Sequence, residues 1–267
     1  MTKPSMARKL VATGRSAARG LAAMLGLTLA FGLIGAAHAG EVQVAVAANF
    51  AGPLARIAEG FTAASGHTLK VSAGATGKFY TQIQSGAPFE VLIAADDETP
   101  KKLIAEGLAV KASNFTYAIG KLVLWSAKPG FVDADGQVLA GKGFDHLAIA
   151  NPKVAPYGAA GLEVIKARGL SDAITPKLVT AESIAQAFQF VSTGNAELGF
   201  VALSQVAVPG KPVVGSYLLV PSGLYSEIRQ DAVLLKTGES NAAAKALLDY
   251  LKSAPAKAVI SSYGYGH

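Results

Sequence analysis

The chain has 267 residues, of which 51% are hydrophobic, with no cysteine and a formal net charge of +6. The lack of cysteine excludes disulfide bonds, thiolate metal sites and a cysteine nucleophile. It also excludes a mature protein that is anchored to the membrane through a lipid on an N-terminal cysteine.

The first 39 residues predict a secretory signal peptide. A basic region from Lys3 to Arg19 contains no acidic residue, and an apolar stretch at 21–36 and the motif Ala37-His38-Ala39 follow it. This order is typical of a signal that is cleaved after export, here before Gly40. An uncleaved membrane anchor is the alternative, but a strand-like pattern follows instead of a basic stop-transfer run. We therefore expect a free protein in the periplasm.

Removal of residues 1–39 would take away five basic residues and no acidic ones, which lowers the net charge from +6 to +1. A nearly neutral chain lacks the basic surface that nucleic-acid binding requires, so we expect no nucleic-acid partner. The remaining 228 residues are enough for two small α/β lobes or for one larger domain, and composition leaves both open.

From Gly40 onward, strand and helix patterns alternate, which predicts an α/β fold. The first half contains strands at 41–48, 69–72 and 89–95. A helix carries its apolar stripe from Leu54 to Phe61 and ends at Gly66, and a short second helix ends at Gly86. Thr99 followed by Pro100 predicts the capped start of a third helix, which ends at Gly107.

An apolar run at 117–126 precedes a second α/β unit. The patterns there predict strands at 147–150, 177–180 and 198–203, with helices at about 158–168 and 182–192 between them. One more strand at 232–236 and two helical patterns, around 247–251 and 256–262, complete the chain.

Four turns between a strand and a helix have the composition of an anion-binding site: 47–50, 74–77, 155–158 and 180–184. Ligands of open α/β sheets bind beyond the carboxyl ends of the strands. Helix N-termini at that edge present unpaired backbone N–H groups, which suit an anion without a basic residue. Asn49, Thr76 and Tyr157 add neutral donors. Taken singly, Asn49 and Thr76 are more simply explained as helix caps and Tyr157 as a surface aromatic, but four such turns together favour a site.

These turns resemble those of the periplasmic molybdate-binding proteins of ABC transporters. The similar stretches are 46–50, 72–78, 86–91, 115–122, 151–158 and 198–203. The resemblance implies an α/β two-lobe periplasmic binding protein of type II, in which each lobe is a mainly parallel sheet flanked by helices. It implies lobe 1 at 40–118 plus 228–267 and lobe 2 at 119–227. It further implies a monomer that is not an enzyme, has no cofactor, binds molybdate or tungstate and delivers it to an inner-membrane ABC permease.

The same resemblance implies a ligand set made only of neutral donors. Its members would be the Ala48 amide, Asn49, the hydroxyl and amide of Thr76, Tyr157 and the Ile184 amide. Relatives often carry a hydroxyl residue at the position of Ala48 and a serine at that of Thr76. Some use a tyrosine at the position of Ala202, so here Tyr157 would have to supply the phenol.

Other interpretations of the sequence have less support. The loop at 74–78 lacks the flanking residues of a nucleotide-binding loop, because position 72 is serine and position 79 phenylalanine. The run Asp96-Asp97-Glu98 is more simply a solvated first helical turn than a cation site, and the mature histidines His67, His146 and His267 have no metal-site spacing. Lys78 and Lys153 are more simply surface lysines than anion ligands. A receptor for sulfate, phosphate or ferric iron, or a secreted hydrolase, stays open as an alternative.

Overall fold

The computed structural model describes residues 39–266 of the chain, which form two five-stranded sheets with flanking helices. Apart from Ala39, the predicted signal peptide at 1–39 lies outside the described residues, as does His267. Within the described part, every helix is too short or too polar to cross a bilayer.

The strands and helices alternate as the sequence patterns predict. The strands are β1 (Glu41–Ala47), β2 (Thr68–Gly74), β3 (Val91–Ile93), β4 (Phe115–Gly120), β5 (Leu122–Ser126), β6 (Leu147–Ala150), β7 (Leu178–Ala181), β8 (Leu198–Ala202), β9 (Ser216–Leu219) and β10 (Ile228–Leu234). The helices are α1 (Ala51–Ser65), α2 (Thr76–Gln84), α3 (Glu98–Ala105), α4 (Pro156–Ala167), α5 (Ser171–Ile174), α6 (Ile184–Ser192), α7 (Leu203–Val206), α8 (Ala242–Leu251) and α9 (Ala254–Ser262).

Each sheet is mainly parallel, which confirms the expected fold class. The first sheet has the order β2-β1-β3-β10-β4, and β10 pairs antiparallel with both neighbours, so the other four strands share one direction. The second sheet has the order β7-β6-β8-β5-β9, and there β5 is the reversed strand. The carboxyl ends of the parallel strands, where α/β proteins bind their ligands, therefore gather at one edge of each sheet.

The chain crosses between the sheets twice. The apolar run at 117–126 divides into β4, in the first sheet, and β5, in the second, with Lys121 between them. The return lies between β9 and β10. The first sheet thus takes its strands from residues 41–120 and 228–234 and the second from 122–219, while the exact lobe limits stay a prediction.

The local predictions were wrong at several places. The strand predicted at 232–236 is β10, which begins four residues earlier, at Ile228. Thr99 does not cap α3, because the helix begins one residue earlier, at Glu98, and the carboxylate of Asp96 accepts the Thr99 amide at 2.8 Å. An aspartate ahead of the helix thus accepts the free N–H of Thr99 itself, whereas a cap at Thr99 would accept an N–H two or three residues further along the chain. The edge strand β9 was missed, because its hydrophobic side chains Tyr217 and Leu219 lie on the exposed face.

Candidate functional site

A small cavity lies where the turns after the parallel strands of the two sheets meet. All five residues of the predicted ligand set line it: Ala48, Asn49, Thr76, Tyr157 and Ile184. The remaining lining residues are Ala47, Gly74, Ala75, Ala95, Ala155 and Pro156. Every one of these side chains is uncharged. The structure therefore brings the predicted residues together from both sheets, around a site whose donors are neutral.

Backbone amides at helix starts are the common feature of this lining. Thr76 is the first residue of α2 and Ile184 the first of α6, while Tyr157 is second in α4 after Pro156, which has no N–H. Ala48 and Asn49 open a short 3-10 turn after β1. The first amides of a helix have no partner within it, so each of these turns offers a donor and the positive end of its dipole.

The hydroxyl of Thr76 is oriented by the backbone next to it. Its oxygen accepts the Ala95 N–H at 2.9 Å, and Thr76 is only 1% exposed. A hydroxyl that accepts one hydrogen bond still has its own hydrogen to donate. Thr76 therefore combines an amide and a hydroxyl donor at one position.

The side chain of Asn49 is engaged within the protein. Its Nδ2 donates to Gln230 Oε1 and to the Tyr265 hydroxyl, both at 2.9 Å. The backbone carbonyl oxygen of Asn49 accepts from the hydroxyls of Ser204 and Tyr265, also at 2.9 Å. Both Nδ2 hydrogens have protein acceptors, so the side chain holds the turn that carries the amides of Ala48 and Asn49.

The hydroxyl of Tyr157 lies at the crossing between the sheets. It accepts from Gln230 Nε2 at 3.0 Å, and the side chain is 1% exposed. A Cβ at position 120 would overlap both the Tyr157 hydroxyl and Gln230 Nε2, so only glycine leaves room for this contact. Burial raises the pKa of Tyr157 well above its ordinary value, with the nearby Tyr265 adding to the rise. The phenol is therefore neutral in the physiological range.

Sequence reasoning missed the polar residues behind the cavity. Gln230, Tyr265, Ser204 and Tyr117 are all buried and join the contacts of Asn49 and Tyr157. The available signal was Gln230-Asp231 directly before the apolar run at 232–235, since a polar pair in a buried strand requires partners. Their partners lie at least 73 residues away along the chain, so no local pattern identifies them.

Two contacts cross the cleft beside the cavity. The Gly77 amide donates to the Val154 carbonyl at 2.9 Å, and Lys78 Nζ lies 2.6 Å from Glu182 Oε2. The hydrogen bond from Lys78 lowers the pKa of the Glu182 carboxyl. The charge of Lys78 is thus paired across the cleft, and Lys78 does not line the cavity.

The other candidate groups take structural roles. Asp96 accepts from Thr99, and Lys101 pairs with Asp97 and Glu98. His67 Nδ1 accepts the Gly40 N–H. Among the residues that the structure describes, no group of three histidine or acidic side chains could hold a metal ion.

Comparison with known proteins identifies similar chains over nearly the whole described region. The model of the family described as bacterial extracellular solute-binding protein matches residues 42–266. The molybdate-binding protein ModA of Azotobacter vinelandii is 61% identical over 231 residues, which cover 86% of this chain and 92% of that protein. The ModA protein of Rhodobacter capsulatus is 53% identical, with 95% and 96% covered.

Solved structures show the same similarity. A periplasmic molybdate-binding protein of Azotobacter vinelandii superposes with a TM-score of 0.83 at 43% identity, covering 85% of this chain and 99% of that one. The sulfate-binding protein SubI of Mycobacterium tuberculosis superposes with a TM-score of 0.69 over 85% and 86% of the two chains. At 15% identity, that second likeness concerns the fold alone.

Proposed function

We propose that this chain, which belongs to the bacterial extracellular solute-binding protein family, captures molybdate or tungstate between its two sheets and delivers it to an ABC transporter. One observation carries the proposal: helix-start amides from both sheets and the Thr76 hydroxyl surround one uncharged cavity. The relatives at 61% and 53% identity are molybdate-binding proteins by name. They are binding proteins, which confirms the prediction that the chain is not an enzyme and uses no cofactor.

The chemistry of the cavity suits a fully deprotonated oxyanion. Each helix start contributes an N–H donor and a partial positive charge, and hydrogen bonds to a charged acceptor are about twice as strong as neutral ones. A protonated phosphate would also require an acceptor for its own hydrogen, and the lining contains no carboxylate. The donor set therefore favours molybdate and tungstate over a protonated phosphate.

Delivery to an ABC transporter requires that this protein lies in the periplasm and meets a permease of the inner membrane. The Azotobacter vinelandii structure is of a periplasmic protein, and the predicted signal peptide at 1–39 fits export to the same compartment. The proposed partners are therefore a small oxyanion and an inner-membrane ABC permease, with the receptor acting as a monomer.

Calorimetry on residues 40–267 tests the ligand directly. We expect one molybdate or tungstate per chain, with much weaker binding of sulfate and phosphate. Native mass spectrometry of the same preparation should detect the bound oxyanion. A chain that bound phosphate tightly and gave no heat with molybdate would overturn the proposal.

A pair of variants at Ile184 tests the backbone donors. Ile184→Pro removes the N–H of the first residue of α6, a position at which proline fits, and the extended backbone of Ser183 suits a following proline. Ile184→Ala shortens the same side chain but keeps the amide. We expect the proline variant to bind molybdate more weakly than the alanine variant, and equal affinities would remove the Ile184 amide from the donor set.

A further inference from the structure

A fully buried glutamine lies between the two halves of the proposed site. We infer that Gln230 is a positioning residue, which sets the orientation of Asn49 and Tyr157 toward the oxyanion without touching it. Gln230 has no exposed surface and does not line the cavity. This inference rests on the proposed function and assigns a further residue to the same site.

The side-chain amide of Gln230 bonds to one candidate residue from each side. Its Oε1 accepts from Asn49 Nδ2 at 2.9 Å, and its Nε2 donates to the Tyr157 hydroxyl at 3.0 Å. Asn49 follows β1 of the first sheet, and Tyr157 belongs to α4, which follows β6 of the second. A single amide group therefore links the turns on opposite sides of the cavity.

The orientation of that amide is fixed by its surroundings. The Tyr117 hydroxyl shares its one hydrogen between the Ala94 carbonyl oxygen at 2.8 Å and Gln230 Oε1 at 2.9 Å, so Asn49 Nδ2 is the donor that fixes this oxygen. A flipped amide would place an NH2 group against the Asn49 NH2 group. The Nε2 donor must therefore point toward Tyr157, whose hydroxyl accepts from it and also interacts with the Tyr265 hydroxyl.

The pairing of β10 with β4 is irregular at Gln230. The register shifts between Gln230, which pairs with Ala118, and Asp231, which pairs with Thr116, so that Tyr117 is an extra residue in β4 and forms a β-bulge there. Bulges redirect a side chain and are common beside functional sites. The Asp231 carboxylate accepts from Thr116 and Asn114, at 2.6 and 2.9 Å, which anchors the bulge on the other side.

Loss of the Gln230 amide would affect both sides of the site. Asn49 would lose one of its two Nδ2 acceptors, and Tyr157 the donor to its hydroxyl. Asn49 carries two of the proposed donors on its turn, so its reorientation weakens binding although no ligand contact is deleted. Gln230 therefore acts by orienting other residues and not by contacting the anion.

The first test compares Gln230→Met with Tyr117→Phe by calorimetry with molybdate. Methionine keeps the approximate length of the side chain but forms neither bond, and we expect the Kd to rise about tenfold or more. Tyr117→Phe removes a buried hydroxyl that contacts the same Oε1 and leaves both links intact, so its Kd should rise far less. Equal affinities of wild type and Gln230→Met would overturn the inference.

The second test uses Gln230→Glu and pH. A protonated glutamate reproduces the acceptor and the donor of glutamine, whereas the carboxylate loses the donor and brings a negative charge close to the anion. The titratable groups in contact with Gln230 are the phenols of Tyr117 and Tyr157, and Tyr117 in turn interacts with Tyr265, Asp231 and Asp96. We expect the variant to bind molybdate more weakly as pH rises between about 6 and 8, while wild type changes little over the same range.

A merely structural role has a different signature. It would change the Tm of the ligand-free variant with pH and leave its Kd for molybdate at 25 °C constant, which would refute positioning. Wild type is measured in the same series: if it fails to bind molybdate, the proposed function is wrong, whereas normal binding by wild type and both Gln230 variants refutes only this inference.

Discussion

Gly77 and Val154 meet across the cleft, where the Gly77 amide donates to the Val154 carbonyl oxygen at 2.9 Å. A Cβ at position 77 would lie 2.9 Å from both Cα and Cβ of Val154, which is closer than such atoms approach. The two sheets can come this close only because residue 77 is glycine. The hydrogen bond between Gly77 and Val154 therefore marks the form in which the two sheets are closed over the site.

We therefore expect Gly77→Ala to weaken molybdate binding by hindering closure. Overpacking costs about 1–3 kcal/mol, which raises the Kd by about 5- to 150-fold if the open form avoids the clash. Gly52→Ala is the control, since Gly52 is also the second residue of an α-helix and its Cβ would lie 3.7 Å from Tyr263. Calorimetry gives the affinities. Small-angle scattering should show a smaller decrease in radius of gyration on adding molybdate to Gly77→Ala than to wild type, and identical curves would argue against hindered closure.

Thr76 should contribute through its hydroxyl and not its methyl group. Thr76→Val keeps the shape, deletes the donor and leaves the Ala95 amide without its acceptor, so we expect a loss of about 1–3 kcal/mol in binding free energy. Thr76→Ser keeps the hydroxyl and should bind nearly as well as wild type. Calorimetry gives the affinity of both variants for molybdate. If Thr76→Ser bound as weakly as Thr76→Val, the loss would be assigned to the packing of the methyl group.

Tyr157→Phe should weaken binding more than Lys78→Ala. The phenylalanine variant leaves Gln230 Nε2 buried without a partner and disturbs the link to Asn49, and we expect a loss of about 1–3 kcal/mol. The Lys78–Glu182 pair is exposed, with 45% and 76% of the two side chains accessible, and exposed pairs contribute little. The reverse ranking would indicate a site that depends on charge pairing.

The structure also predicts how stability depends on pH. Burial raises the pKa of Tyr265 from its ordinary value of 10.0 to about 12, and that of Tyr117 well above 10. Above pH 10 the unfolded chain loses these protons while the folded chain keeps them, so the free energy of unfolding falls as pH rises from 10 to 12. Denaturant titrations should show that these groups cause no change of the free energy of unfolding with pH below about pH 9. Tyr265→Phe should reduce the alkaline loss, and an unchanged pH profile would contradict this assignment.

Selectivity among oxyanions should follow the size of the ion. Molybdate, tungstate and sulfate are all tetrahedral dianions near neutral pH, so neither charge nor shape distinguishes them. Oxygen lies farther from the central atom in molybdate and tungstate than in sulfate. Amides fixed at helix starts of two sheets cannot contract around the smaller ion, and a hydrogen bond weakens once its length exceeds about 3.2 Å. Two donors left unpaired would each cost about 1–3 kcal/mol, which amounts to a preference of about a hundredfold or more. Competition calorimetry measures it, and sulfate binding as tight as that of molybdate would leave only a general oxyanion receptor.

The parts of the molecule with a local signature were predictable from the sequence. Helix α1 ends where Gly66 adopts a φ of 73°, and β6 coincides with the predicted strand, because hydrophobic periodicity and glycine encode these features. The turns that carry Thr76 and Ile184 were predictable because a strand followed by a helix exposes unpaired N–H groups, whereas the two amides themselves were assigned through the resemblance to molybdate-binding proteins. Gln230 was not found, since its bond to Asn49 spans 181 positions and depends on a bulge.

The contact between Asn49 and Tyr265 also has a kinetic consequence. These residues are 216 positions apart, and their bond joins the turn after β1 to the segment that follows α9. Contacts of such long range form slowly, because a large loop must close before the contact stabilises anything. The turn with the Ala48 and Asn49 amides is therefore among the last parts of the protein to become rigid. During refolding, affinity for the anion should therefore emerge after most of the secondary structure has formed.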